Sequence, residues 1–254
     1  MTMRIAAVQH DIEWEDREAN LRRLTPKVTD AAAEGAELVV LAEMFAVGFT
    51  MDTEKVAEPP GGPTERWMVE RAADTNAWLM GSVPVREHDD PRPFNRLLAV
   101  APDGSVHTYD KRHPFSYAGE HEHFRAGEGS VTVTVGGLRI TPLICYDLRF
   151  ADAFWTLAPS TDCYVVVASW PEARRHHWRT LLTARAIENQ AWVVGVNRVG
   201  SGGGLQYVGD SLVVDPMGEI VAEASGGEAT VVADVDPDRV GEVRSQLPFM
   251  ADRL

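Results

Sequence analysis

Residues 141–150 read Thr141-Pro142-Leu143-Ile144-Cys145-Tyr146-Asp147-Leu148-Arg149-Phe150. The first half is apolar and typical of a buried strand. The second half turns polar before residues 151–157, where large apolar groups recur at helical spacing. Cys145 is therefore predicted where a strand passes into a helix, at a sheet rim that a small substrate can reach. A helix dipole favours thiolate there, although an isolated cysteine is more often a small buried hydrophobe.

Composition limits the classes of protein that fit this chain. The 254 residues are 44 % apolar, enough for a substantial core in one large domain or two small ones. The formal net charge of −14 disfavours nucleic acid and anionic membranes as partners. Two cysteines make no disulfide framework, and neither a signal peptide nor a membrane-spanning stretch is evident. We expect a soluble cytoplasmic protein with no nucleic-acid or membrane partner.

Apolar runs alternate with amphipathic segments along the chain. Strands are predicted at residues 4–8, 36–43, 79–85, 97–101, 105–109, 131–135, 138–145, 163–169 and 192–196. Helices are predicted at residues 16–34, from Gly62-Pro63-Thr64 onward, after Cys145 and at residues 177–190. Pro26 should kink or shorten the first helix, and Gly35 should end it. The last helix should turn Leu181, Leu182, Ala186 and Ile187 inward.

The remaining segments are more irregular. Short strands and glycine turns are predicted over residues 210–235, a mobile loop at residues 200–204, and a surface segment or an arm onto a partner subunit at residues 239–254. Because no linker, low-complexity run or repeat divides the chain, we expect one α/β domain over residues 1–254, with a mixed sheet or two packed sheets.

Three reactive side chains share one placement, at or just beyond the end of a predicted strand, where ligand sites of α/β folds gather. They are Glu43, Lys111 and Cys145. Glu43 closes an apolar run and needs a partner for its charge, which Lys111 can supply. A carboxylate that takes the thiol proton, a thiolate that attacks a carbonyl or nitrile carbon, and an ammonium that stabilises the resulting charge form an acyl-transfer set. The alternatives are a plain buried ion pair and a cysteine that only fills space.

Three segments carry a resemblance to a known family. Leu41-Ala42-Glu43-Met44-Phe45, Tyr109-Asp110-Lys111-Arg112-His113 and residues 143–150 resemble, in this order, the motifs of the nitrilase superfamily of carbon–nitrogen hydrolases. Within it the chain looks most like the ω-amidase branch, because of residues 111–115, 118–124, 169–171, 181–190 and 195–200. Pro114 and Ala151-Asp152 depart from the pattern and concern loop shape more than chemistry.

The resemblance implies a fold and a set of roles. The fold would be a four-layer α-β-β-α sandwich of two mixed sheets, with subunits paired through helices as a homodimer. Cys145 would be the nucleophile, Glu43 the general base and acid, and Lys111 an oxyanion stabiliser together with the backbone N–H of Tyr146. Glu120 matches the second glutamate, which orders the site beside the nucleophile. No metal or other cofactor is implied.

An ω-amide acid also requires a cation for its carboxylate. Arg149, one helical turn after Cys145, is the first candidate, and a salt bridge to Asp147 or Asp152 is an equally good account of it. Phe45, Phe115, Tyr146 and Trp170 are candidates for the pocket wall, although aromatic residues near strand ends are as often core.

Other constellations are weaker. The pairs His121/His123 and His176/His177 match no strong zinc spacing, and residues 200–204 lack the helix and Lys-Ser/Thr pair of a phosphate loop. No Gly-x-Ser-x-Gly elbow occurs.

The sequence leads to three hypotheses about function. The first is hydrolysis of ω-amides such as 2-oxoglutaramate or 2-oxosuccinamate, and the second is hydrolysis of a nitrile, aliphatic amide or N-carbamoyl amino acid. The third is a catalytically silent relative that binds a metabolite or partner protein.

Overall fold

The computed structural model describes residues 2–87 and 90–253. The strands in that part of the chain are β1 (Met3–Gln9), β2 (Leu38–Val40), β3 (Trp78–Val85), β4 (Phe94–Val100), β5 (Val106–Asp110), β6 (Val133–Val135), β7 (Leu138–Ile144), β8 (Cys163–Ala168), β9 (Trp192–Asn197), β10 (Val199–Gly202), β11 (Leu205–Val214), β12 (Ile220–Ser225) and β13 (Ala229–Val235). The α-helices are α1 (Arg17–Ala33), α2 (Thr53–Val56), α3 (Pro63–Thr75), α4 (Glu120–His123), α5 (Ala151–Leu157), α6 (Arg175–Asn189) and α7 (Pro237–Gln246).

The strands form two mixed sheets. Sheet 1 has the order β13-β1-β2-β3-β4-β5, and sheet 2 has the order β10-β11-β9-β8-β7-β6, with β12 paired to β11. Each sheet has three parallel strands at its centre, β1-β2-β3 in sheet 1 and β7-β8-β9 in sheet 2, with antiparallel strands outside them. The carboxyl ends of the parallel strands gather functional side chains at one edge of each sheet.

Alternating side chains explain the layers, because successive residues of a strand point to opposite faces. In β1, Ile5 and Ala7 belong to the apolar cluster between the sheets. Their neighbours Ala6 and Val8 join Leu24 of α1 in a second cluster on the outer face. Helices α1 and α3 cover sheet 1, and α5 and α6 cover sheet 2. The expected four-layer α-β-β-α sandwich is confirmed.

Several boundaries differ from the sequence prediction. Helix α1 continues through Pro26 and is not shortened by it. Its C-cap is Glu34, followed by Gly35 in the left-handed conformation (φ +93°). Strand β2 ends at Val40, so Glu43 stands in a turn beyond it rather than closing the strand. Residues 200–204 are not an irregular loop but part of the β10–β11 hairpin, which turns at Gly203-Gly204.

One side chain that was predicted to face inward does not do so. Ile187 of α6 was expected to face inward and is half exposed, whereas Leu182 and Ala186 are fully buried. Residues 239–253 do not project from the molecule as a whole, because α7 buries Val240 and Val243 against its own chain. No helix of the described residues is both long and apolar enough to cross a membrane.

Candidate active site

Three predicted site residues meet in a buried charge cluster. The Lys111 Nζ atom lies 2.8 Å from Glu43 Oε1, and 3.0 and 2.8 Å from the two carboxylate oxygens of Glu120. All three residues are at most 1 % exposed. Lys111 directly follows β5, Glu43 follows β2, and Glu120 begins α4. One ammonium therefore neutralises only part of the charge of two carboxylates.

Neutral donors fix both carboxylates. The side-chain amide of Asn95 in β4 donates to Glu43 Oε1 at 2.9 Å and to Glu120 Oε1 at 3.2 Å. The backbone N–H of Ser169, just after β8, donates to Glu43 Oε2 at 2.8 Å. The backbone N–H of Phe115 donates to Glu120. Since Ser169 belongs to sheet 2, Glu43 is held from both sheets.

Cys145 stands at the point where β7 ends and the 3₁₀ turn Cys145–Arg149 begins, as the apolar-to-polar change in the sequence predicted. Its backbone is left-handed (φ +45°), which costs a non-glycine residue on the order of 1 kcal/mol. The residue is 9 % exposed and lines a pocket. Such strain persists only where the surroundings hold the backbone firmly.

Asp147 is the main anchor of this turn. Its fully buried carboxylate accepts hydrogen bonds from the backbone N–H of Ile144 (3.0 Å), the Tyr109 hydroxyl (2.7 Å) and the backbone N–H of His113 (3.1 Å). His113 Nδ1 lies 2.7 Å from the same carboxylate. From the other side, Arg185 of α6 donates twice to the Leu148 carbonyl. The turn is thus tied to the segment around Lys111 and to a long helix.

The surroundings of the thiol oppose its ionisation. Burial raises the pKa of Cys145 well above the usual value, the negative charge of Glu43 raises it further, and Lys111 only partly offsets this. This direction is opposite to the one expected from a helix dipole. A five-residue 3₁₀ turn brings little dipole, and the thiol faces buried carboxylates. The sulfur keeps its proton until a base removes it.

The pKa values of Lys111 and Glu120 are both raised. Burial lowers the pKa of Lys111, but the charges of Glu120 and Glu43 outweigh that effect and raise it overall. Burial raises the pKa of Glu120, against the opposing charge of Lys111. Lys111 is therefore protonated at neutral pH, and burial makes the ionised form of Glu120 less favourable than it is in water.

A pocket with about 420 Å³ of space free of protein atoms, partly open to solvent, leads to Cys145. Its wall is largely aromatic, and its ring-bearing residues are Phe49, Phe115, Tyr146, Trp170 and Tyr207. Its cationic residues are Arg149 and Arg174. Because the two glutamates lie behind the wall, the open face of the pocket has a positive character although the whole chain is acidic.

The predicted substrate residues divide into two groups. Phe115, Tyr146, Trp170 and Arg149 line the pocket. Arg149 forms no ion pair with Asp147 or Asp152; its guanidinium lies 4.8 Å from the Trp170 ring centroid and donates to His177 Nδ1 at 3.2 Å.

Phe45 is a correction, because it does not line the pocket. It is fully buried on the helix-covered face of sheet 1, with its ring 5.9 Å from that of Trp67. The chain turns at Met44 (φ +45°), so the side chains of Glu43 and Phe45 lie on opposite sides.

Sequence reasoning missed several residues of the site. Asn95 and Asp147 hold the reactive groups, and Phe49, Arg174 and Tyr207 complete the pocket wall. Arg174 stands four residues after Trp170, beyond the end of a predicted strand, and that position could have identified it as a candidate pocket residue. Tyr207 was not identifiable in this way, since no strand was predicted over residues 205–209.

Comparisons with known proteins agree with this geometry. Residues 4–245 match the family model described as carbon–nitrogen hydrolase. The chain is 42 % identical to the omega-amidase YafV of Escherichia coli K12, over 98 % of this chain and 96 % of that protein. It is 30 % identical to a 2-oxoglutaramate amidase of Bacillus subtilis, over 99 % and 98 %.

A solved structure is also closely similar. XC1258 from Xanthomonas campestris, described as a CN-hydrolase superfamily protein with an arsenic adduct in its active site, superposes with a TM-score of 0.94 at 37 % identity, covering 100 % of this chain and 98 % of that one. The family match, the full-length relatives and the shared fold lead to one conclusion: this chain belongs to the carbon–nitrogen hydrolase, or nitrilase, superfamily and to its ω-amidase-like branch.

Proposed function

We propose that the protein is a thiol amidase that hydrolyses the terminal amide of small dicarboxylic acid monoamides, such as 2-oxoglutaramate or 2-oxosuccinamate, to the acid and ammonia. One observation carries this proposal. A buried Glu43–Lys111–Glu120 cluster adjoins a cysteine in a pocket whose free charges are guanidinium groups. The names of the Escherichia coli and Bacillus subtilis relatives support the same class of substrate.

The first half-reaction forms a thioester. Glu43 takes the proton of Cys145 as the sulfur attacks the amide carbon, and the carbonyl oxygen becomes an oxyanion. The Lys111 ammonium and the backbone N–H of Tyr146 stabilise that oxyanion. When the intermediate collapses, the C–N bond breaks and Glu43 returns its proton to the leaving nitrogen, which departs as ammonia.

The second half-reaction uses water. Glu43 takes a proton from a water molecule that attacks the thioester carbon, and Lys111 again stabilises the oxyanion. The C–S bond breaks, and the sulfur regains its proton from Glu43. Glu120 acts on the position of Lys111 rather than on the substrate, because both of its oxygens bind the ammonium.

The substrate carboxylate binds Arg149 in this proposal. Arg149 lies in the pocket, and no carboxylate of the described residues lies within 4.0 Å of its guanidinium. A guanidinium that has no carboxylate partner suits a carboxylate ligand, which it can bind through two parallel hydrogen bonds.

A substrate panel tests the function. We expect kcat/KM for 2-oxoglutaramate to exceed that for butyramide, butyronitrile and N-carbamoylalanine. In Arg149→Gln we expect KM for the acid amide to rise about tenfold to a hundredfold, because a charge-assisted hydrogen bond is lost. Butyramide has no carboxylate, and its slow hydrolysis should not change. A wild-type preference for the nitrile over the acid amide would refute the proposal.

We also propose a cytoplasmic homodimer. Free cysteines at both positions are compatible with a reducing compartment. Four apolar side chains on the sheet 2 side are more than a third exposed: Ile187, Met217, Ile220 and Val221. The turn at Gly218 lies directly against Ile187, so the exposed face of α6 continues into the β11–β12 turn.

Light scattering tests the dimer. The wild type is expected at twice the mass of one chain and Ile187→Lys at the mass of a single chain, because a buried lysine without a partner opposes association. The control Thr29→Lys adds the same charge on α1, at the opposite side of the sandwich, and should stay dimeric. A monomeric wild type would contradict the proposal.

A further inference from the structure

The pocket holds one more cation than an ω-amide acid with a single carboxylate requires. Besides Arg149, the guanidinium of Arg174 lies on the wall, 5.3 Å from the Phe115 ring centroid. Within residues 2–87 and 90–253, no carboxylate lies within 4.0 Å of Arg174, whereas nearby Arg175 is paired with Asp210. Arg174 therefore has a charge that the proposed reaction leaves unused.

Tyr207 adds a neutral donor near this charge. It is 4 % exposed and lines the same pocket, yet its hydroxyl has no hydrogen-bond partner among the residues the structure describes. Burial raises the pKa of Tyr207 to about 12, and the positive charge of Arg198 opposes that rise only in part. The hydroxyl is thus a protonated donor at neutral pH. Because Tyr207 lines the pocket, this hydroxyl is available to donate a hydrogen bond to a ligand oxygen.

Both groups are held in place by the surrounding structure. The guanidinium of Arg198 lies 4.5 Å from the Tyr207 ring centroid and is itself buried, with bonds to the Ser201 and Ile12 carbonyls. The indole N–H of Trp170 donates to the Arg174 carbonyl at 2.9 Å. The ring that carries Arg149 therefore also fixes the backbone of Arg174. Trp170 thus contacts both cations, and Tyr207 lines the same pocket.

We propose that Arg174 and Tyr207 form a subsite for the 2-oxo oxygen of the substrate, beside the carboxylate that Arg149 binds. This inference rests on the proposed ω-amidase function. A 2-oxo acid presents its keto oxygen next to the carboxylate, and both are acceptors without a proton to donate. The subsite offers only donors, namely guanidinium N–H groups and a phenol O–H. A site of this kind favours a substrate that has the acceptor, because an analogue without it cannot form the hydrogen bonds that these donors offer.

The test compares substrates that differ only in the keto group: 2-oxosuccinamate with succinamate, and 2-oxoglutaramate with glutaramate. In the wild type we expect kcat/KM to favour the 2-oxo substrate of each pair. This preference is expected to fall about tenfold to a hundredfold in Arg174→Gln, which loses a charged hydrogen bond, and about twofold to tenfold in Tyr207→Phe, which loses a neutral one. In each pair, kcat/KM should fall more for the 2-oxo substrate than for succinamate or glutaramate.

Two further variants separate the possible causes. Arg149→Gln should lower kcat/KM for both members of a pair by the same factor, because both have the carboxylate. Arg22→Gln removes an exposed guanidinium on α1, with a side chain 71 % exposed, and should change neither value. Tyr207→Phe keeps the ring that packs against Arg198, so thermal unfolding close to that of the wild type is expected.

The outcomes distinguish the subsite from the function. Equal kcat/KM for the two members of each pair in the wild type, or an equal loss for both members in Arg174→Gln and Tyr207→Phe, would overturn the 2-oxo subsite and leave the ω-amidase function standing. Absence of hydrolysis for all four acid amides would instead overturn the function on which the subsite rests. A selective loss on the 2-oxo substrates alone supports both.

Discussion

Cys145→Ala is expected to release ammonia from 2-oxoglutaramate at least about 10⁴-fold more slowly than the wild type, because the variant has no atom that can form the thioester. Its fold should be intact, since the side chain loses one sulfur atom at the rim of a pocket. The measurement is ammonia release in single-turnover conditions with enzyme in excess. Mass spectrometry of quenched wild type should find the acyl group on Cys145.

Cys163 provides the matched control. It is the other cysteine, fully buried in β8 and remote from the charge cluster. Cys163→Ala should lose about 1 kcal/mol of stability through the small cavity and keep its amidase activity. Full ammonia release by Cys145→Ala, or acylation found on Cys163, would contradict the assignment of the nucleophile.

Lys111→Met is expected to damage activity and stability together. Loss of the oxyanion donor should lower kcat about 10²- to 10³-fold. Removing the cation also leaves Glu43 and Glu120 buried without compensation, and breaking a buried ion pair costs about 3–5 kcal/mol of unfolding free energy. Denaturant unfolding and ammonia release are the two measurements.

The pH dependence of this destabilisation has a definite sign. Burial raises the pKa of Glu120 in the folded state, and loss of the opposing Lys111 charge raises it further, so the folded chain binds more protons than the unfolded chain. Stability then falls as the pH rises above the ordinary carboxyl range. The loss should therefore be greater at about pH 8 than at about pH 5.

Two further variants control for Lys111. The double variant Glu120→Gln/Lys111→Met removes one of the two buried carboxylates that have lost their cation. It should recover part of the stability but none of the activity. Lys55→Met breaks an exposed pair with Glu15 and should cost no more than about 1 kcal/mol, with activity retained. A Lys111→Met protein as stable as Lys55→Met would show that the cluster is not a compensated charge set.

The sequence predicted the fold well where the hydrophobic pattern agrees with the residues that end helices and strands. The apolar run before Cys145 is β7, and the alternation between helices and strands gave the layers of the sandwich. The placement of Glu43, Lys111 and Cys145 beyond strand ends was also correct, because the path of a strand fixes where its end lies. The roles of these residues remain proposals.

Other features depend on contacts that no local pattern contains. Asn95 bridges Glu43 and Glu120, which lie 52 and 25 residues away along the chain. Phe45 was misplaced because one left-handed residue, Met44, reverses the direction of its neighbours. The sequence indicated a thiolate at Cys145 because of its position before a helix. In the structure, burial and the charge of Glu43 raise the pKa of this thiol instead.

The hydrogen bond from Ser169 to Glu43 joins a residue of sheet 2 to one of sheet 1. Glu43 and Lys111 come from the first half of the sandwich, whereas Cys145 comes from the second. Neither half alone contains a complete set of reacting groups, so a folding intermediate with only one half formed would be inert. The recovery of turnover during refolding therefore measures when the two halves have packed together.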